Sequence, residues 1–507
     1  MNPLLLALAL LAGPAAAARP QPLQPSQPPA PPALPVLLSG IDTLTIQDGE
    51  ELSVGSWRLA PEADPDIYEA RLLHGRPHAV VFRSDQGEIR FDVEVGKEYD
   101  FVVRWKGQDC RTRIVGTRFI PPAVFDEAYR AAHRGRVEVE IPEVYELVNV
   151  AIALSPTGIA NKNLVFQNSE YYARLRARFD PYRDQPVIAA LDAELARDEG
   201  RYFTLKMNAY SFEFDGAGKI VQSPVYDRTG FAGARANDLR PFLPGLQQFA
   251  DASGFRSFFR ENRALYEEQV AFFREQADLP AMLSWLNRNF PAGGGYDGYK
   301  VVFSPLVAYN QSATWLETPD YRELQAHVNF PYPQDLTRSG AENLSPAAAL
   351  LFRGCIVFTE LNHGFINPEA DRHAARAAAA VSDRDFWVDA AKGKSYYPGL
   401  ATFNEYMNWA LVSLRLVDLA PPGELAGLIE RIDRMMVESR GFRRFREFDT
   451  FLVALYRARK PNETVADLYP QILDWFERQP SASPGAPGEP APATTSSSPP
   501  SPSRSRR

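Results

Sequence analysis

Cysteine is nearly missing, with only Cys110 and Cys355 in 507 residues. Two thiols in what read as different domains give no disulfide framework, no zinc ribbon and no cysteine nucleophile. Each reads instead as a free, buried thiol. Positive charge is not in excess either. The formal net charge is −8, which removes the footing for nucleic-acid binding. Beyond residue 18 no run is apolar enough to span a bilayer. Gly293-Gly294-Gly295 lacks a following Gly-Lys-Ser/Thr, which rules out a phosphate loop. No internal repeat is apparent.

What is there begins with residues 1–18, a short apolar core followed by small residues, and this reads as a signal peptide. Its basic start is missing apart from the α-amino group. No cysteine follows, so a lipoprotein anchor is excluded, and the protein is expected to be exported to the periplasm or the medium. Residues 19–35 form a stiff proline-rich linker. Residues 36–116 alternate in short segments with turns at Asp48-Gly49, Gln86-Gly87 and Val95-Gly96, which predicts an antiparallel β domain. His74 and His78 lie in a polar loop there and read as surface histidines. Residues 117–478 form a mostly helical domain, and residues 479–507 a disordered Pro/Ser-rich tail. The fold class is therefore α+β.

Within the helical domain, 202–214 alternates like a strand and ends in the hairpin signal Asp215-Gly216-Ala217-Gly218. Aromatic stripes over 246–290 read as helix core. Lys300-Val301-Val302-Phe303 predicts the strand beside the functional helix. That helix is the apolar run 347–358, with Ser345 as its N-cap and Pro346 in its first turn. It leads into Phe358-Thr359-Glu360-Leu361-Asn362-His363-Gly364-Phe365-Ile366-Asn367-Pro368. Thr359 and His363 are four apart, Glu360 and His363 three apart, so one face carries all three. A later stretch, Phe403-Asn404-Glu405-Tyr406-Met407-Asn408-Trp409-Ala410, opens a second apolar helix. An acid and an imidazole on a buried helix demand partners. Glu360, His363 and Glu405 suit either a glutamate-liganded zinc peptidase lacking its first histidine, or a hydrogen-bonded knot between two helices. The basic run from Arg440 to Arg446 reads as a solvated helix face.

These segments resemble a known family. The first is similar to the core motif of domain-of-unknown-function family 4932, mostly secreted bacterial proteins in which the usual form is close to H-E-F-S-H-S-F-V-N-P. The second resembles that family's glutamate helix, and the segment from Ile141 to Val150 resembles its opening segment. The likeness runs through ordered blocks over residues 137–457. It implies a zincin-like fold and a metallopeptidase site in which Glu360 is the general base and His363 and Glu405 are zinc ligands. Thr359 stands where the first histidine belongs, and a hydroxyl is a poor zinc ligand. Gln185 also stands where the family has a histidine. Catalytic zinc normally has three protein ligands, so the resemblance implies zinc held weakly or not at all.

Three functional readings follow. The chain is a non-catalytic relative that binds a peptide or protein in the old cleft, or an active zinc peptidase, or a carboxylate-dependent hydrolase using Glu360 and Glu405. In the second, His327, His373 or Thr359 supplies the third ligand, and Tyr396 or Tyr397 would stabilise an oxyanion. Otherwise His327 and His373 read as helix-surface residues. Substrate and oligomeric state are not legible.

Overall fold

The computed structural model describes residues 34–41, 44–49, 55–56, 65–231, 234, 236–291, 295–333, 343–393 and 399–479. Residues 1–18, read as a signal peptide, nearly all of the expected linker, Tyr396, Tyr397 and the residues beyond 479 lie outside these. The architecture is α+β, strand-rich at the start and helical afterwards, and the chain divides after Phe119 into two units.

The first unit is a pair of four-stranded sheets. One, ordered Gly55–Ser56, Leu44–Asp48, His78–Ser84, Gly87–Val93, is antiparallel throughout. The other corrects the expectation of a wholly antiparallel domain. Its central hairpin, Glu98–Trp105 with Gln108–Phe119, is antiparallel, but Val36–Gly40 and Asp66–Leu73 flank it in parallel. Alternation and turns mark the strands but not which distant strand lies beside which. Leu38, Leu72 and Phe101 from one sheet share a core with Ile46, Val80 and Phe82 from the other. The hairpin turns at Lys106 and Gly107, both with positive φ, as a two-residue connection requires. His78 pairs with Asp48 at 2.5 Å, and His74 sits in a turn.

The second unit is built around a four-stranded sheet, ordered Ser312–Thr318, Tyr321–Asn329, Gly298–Ser304, Val137–Glu140. Only the pairing of the first two strands is antiparallel. Tyr321–Asn329 is buried on both faces, one apolar (Leu324, Ala326, Val328) and one polar (Glu323, Gln325, His327). On the polar face Glu323 is fully engaged, while Tyr321 Oη, His327 Nδ1 and Asn329 Oδ1 have no hydrogen-bond partner among the described residues. Glu323 accepts hydrogen bonds from Tyr129 (2.5 Å), Tyr226 (2.7 Å) and Gln325 (2.8 Å).

Helices pack around this sheet. The apolar run from 347 is not one helix. Ser345 caps Pro346–Arg353 by accepting from the Ala348 N–H, and the chain breaks at Gly354 before a second helix, Cys355–Arg372. The first of these buries only Ala348, while the second carries the whole motif. This motif helix lies against Tyr321–Asn329, Ser312–Thr318 and the Leu400–Leu419 helix. Lys300 therefore lies one strand further away than expected. Residues 202–209 belong to a helix, Arg201–Ala209, and only Phe212–Phe214 pairs with Ile220–Gln222 in the expected hairpin. That helix is buried almost all round over Leu205–Ala209, which erases the 3.6-residue signature. Cys110 and Cys355 are free and buried. Among the described residues no helix is long and apolar enough to cross a membrane.

Gly364 sets the approach of the motif helix to the sheet. A Cβ there would stand 2.9 Å from both Leu324 and Tyr296, and Tyr296 donates to the Gly364 carbonyl at 3.1 Å. Gly364→Ala is expected to cost about 1–3 kcal/mol by overpacking. Urea unfolding would show this as a lower midpoint at unchanged slope.

Candidate functional site

The motif helix and the Leu400–Leu419 helix cross so that their polar residues meet. Asn362 donates to the Asn408 backbone carbonyl at 3.0 Å, tying the two backbones together. His363 Nε2 lies 3.6 Å from Glu405 Oε1 and 2.8 Å from the Asn408 side-chain nitrogen. Its Nδ1 lies 3.3 Å from Asn367 Oδ1. Asn408 Oδ1 has no partner. As placed, that amide donates to His363 Nε2, while Asn367 Oδ1 and Glu405 Oε1 are acceptors that favour a proton on the ring.

The electrostatics agree. Burial alone would lower the His363 pKa, but the nearby Glu405 and Glu360 carboxylates carry it above the usual value. Glu360 is buried, which pushes its carboxyl up despite the attraction of His363. Thr359 spends its hydroxyl on its own helix, donating to the Ile356 carbonyl at 2.7 Å, and lies 3.3 Å from Glu360 Oε1.

Sequence reasoning missed two cations, Arg440, which joins the site, and Lys206, which acts on it only through its field. Arg440 Nη2 donates to Glu405 Oε2 at 3.1 Å, and its guanidinium lies 5.2 Å from the centre of the Trp409 ring. Burial lowers its pKa to about 10, partly opposed by Glu360. The basic run is therefore not wholly a solvated face, because its first residue turns inward. Lys206 is fully buried and donates to the Asn310 carbonyl at 2.5 Å. Burial brings its amine down to about 7, again opposed by Glu360. A lone Lys in an apolar stretch and the first Arg of a basic run carry no distinguishing pattern. Asn408, three residues beyond Glu405, had a signal in its helical spacing, since it shares the face that meets His363.

The other candidates do not join the cluster. His327 is a buried strand residue, not a helix-surface one. Leu324 faces the motif helix at Gly364, so strand alternation turns His327 to the opposite face, where its Nε2 meets Gln325 at 3.3 Å. His373 follows the helix C-terminus, ten residues from His363, which is roughly 15 Å along the axis. It stacks on Tyr469 instead. Gln185 precedes the Pro186–Arg197 helix and makes no side-chain cap to it. Tyr396 and Tyr397 fall outside the described residues.

The residues do not fit a zinc ion. Thr359 is committed to a backbone carbonyl, Glu405 to a guanidinium, and the His363 ring nitrogens to Asn367 and Asn408. Among the described residues, no group of three or more His, Cys, Asp or Glu side chains forms a metal-holding set. Comparison with protein-family models, with curated proteins and with solved structures finds no match for this chain.

Because the His363 pKa is raised in the fold, its contacts contribute stability that is fully present below the unfolded histidine value and is lost as pH rises through the folded one. Glu405→Gln is expected to lower the His363 pKa. An NMR titration of its ring protons checks this, and an unchanged midpoint would remove Glu405 as the cause.

Proposed function

We propose that this chain is an exported, non-catalytic relative of the glutamate-liganded zinc peptidases, which holds a peptide or extended protein segment beside the motif helix without cutting it. The observation that carries this reading is the Glu405–Arg440 ion pair. A peptidase of this design needs that carboxylate for its metal, and here a guanidinium of the chain itself takes it. The Thr359 hydroxyl, turned onto Ile356, supports the same conclusion.

Support for a peptide as ligand comes from Ser312–Thr318. It is the end strand of its sheet, it packs against the motif helix, and no strand pairs with its outer side among the described residues. An unpaired edge offers N–H and C=O groups at the spacing of an extended chain. Export rests on the signal-like residues 1–18.

The test is zinc content together with cleavage. After equilibration with zinc and dialysis, the purified chain is expected to keep well under one equivalent, and Thr359→His combined with Arg440→Met to keep more. A mixed peptide library should enrich on the immobilised natural chain and emerge uncut. A full equivalent of zinc that His363→Ala abolishes, with chelator-sensitive cleavage, would restore the peptidase. Metal-independent glycan hydrolysis blocked by Glu360→Gln would point to the carboxylate hydrolase.

A further inference from the structure

The Leu400–Leu419 helix carries a second buried arginine, and this one has no counter-charge. Arg415 is 5% exposed and makes no hydrogen bond or ion pair among the described residues. Its guanidinium carbon lies 5.3 Å from the centre of the Phe358 ring, on the motif helix. Of its nitrogens only Nε is sealed from water without a partner, so the outer edge of the fork still meets solvent. An arginine cannot shed its proton to escape such a place. A cation taken out of water needs a compensating charge or hydrogen bonds.

Each nearby group that could supply the charge is spent or neutral. Asp418, three residues further along the same helix, accepts from Trp285 Nε1 at 2.8 Å and from the Tyr456 hydroxyl at 2.6 Å. Asp278 is exposed and caps the helix Leu279–Asn289, accepting from the Ala281 N–H at 3.2 Å, and it reaches Arg415 only through its field. Cys355, one turn before Phe358, shares its helix face. Its thiol is pushed up to about 12 by burial despite the arginine, and it donates to the Leu351 carbonyl at 3.5 Å. No thiolate balances the charge at neutral pH. The remaining surroundings are apolar. Trp285 meets Phe358 edge-on at 5.7 Å between ring centres, and Met282 stands 3.0 Å from where a Cβ on Gly354 would lie.

We propose that Arg415 holds a small, weakly hydrated monovalent anion, of the chloride type, beside the first turn of the motif helix. A helical side chain leans over the turn before its own Cα, so a guanidinium on the Phe358 ring faces the Gly354 end of that helix. The helix starts there with no side-chain cap, and its positive end favours a negative charge. One unpaired cation calls for one negative charge, and the two aspartates penalise a second. Sulfate or phosphate would surrender many water hydrogen bonds to apolar walls and a single fork of donors. Chloride surrenders fewer. Arg415 is ten residues beyond Glu405, roughly 15 Å along the helix axis, so this site and the peptide-binding reading stand or fall separately.

The experiment uses the full chain, with sodium chloride replacing sodium gluconate stepwise at fixed ionic strength. The thermal midpoint should rise by a few degrees in chloride and then saturate, as for any ligand of the folded state. Alkylation of Cys355 by iodoacetamide, followed by mass spectrometry of its peptide, should slow several-fold over the same range. Cys110, buried in the first unit, is the internal reference and should not respond. Arg415→Met, which keeps an apolar stem over Phe358 without the charge, should lose both chloride responses. Equal midpoints and equal Cys355 rates in chloride and gluconate overturn the proposal from the natural chain alone. A chloride response that survives in Arg415→Met overturns it too, and sulfate acting as strongly as chloride overturns the assignment to a monovalent anion.

Discussion

A carboxylate placed between two buried helices must be met by positive charge, and in this protein the chain provides that charge itself. Glu405 is held from one side by the Arg440 guanidinium at 3.1 Å and from the other by His363 at 3.6 Å. Glu360, one turn before His363, adds a second acid whose burial favours its neutral form. Removing one partner from such a set would strand the other in a poorly solvated place, at a cost of about 3–5 kcal/mol. The helices around the site are therefore fixed relative to one another by charge as well as by packing.

The sheet makes this arrangement workable by separating two polar populations. The apolar face of Tyr321–Asn329 receives the motif helix, with Gly364 letting Leu324 and Tyr296 come close. The other face gathers Glu323, Gln325 and His327 with Tyr129 and Tyr226, and there every hydrogen bond made by Glu323 stays within the cluster. The two networks meet only through long-range fields, by way of Lys206 at the head of the edge strand. This division settles which histidine belongs to the site. His327 has the right chemistry but the wrong parity along its strand.

Local spacing made the central trio legible. Glu360 and His363 share a helix face by arithmetic alone, and Glu405 stands near the start of a later apolar helix. The helical capping at Ser345, the hairpin after Phe214 and the β character of the first unit were legible for the same reason, since each depends on neighbours in sequence. What escaped depends on distant contacts. Parallel pairing in the first unit is a matter of which strands pack together. The helix over Arg201–Ala209 is buried on most sides and so lost its periodicity. Arg440 and Lys206 are ordinary basic residues until tertiary packing folds them inward, and only then do they acquire a role.

That inward turn of Arg440 bears on what kind of site this is. Two ligands and a threonine would grip a metal poorly, because a hydroxyl already bonded to Ile356 adds little to the field of a carboxylate and an imidazole. Without a third ligand the acids still need a cation. A guanidinium on a loop between two helices meets that need with fixed geometry and permanent charge. Stability alone is a weak reason for such a cluster, since a buried ion pair often does no better than apolar packing of the same volume. What the cluster does do is join the motif helix, the Leu400–Leu419 helix and the Arg440 loop at one place.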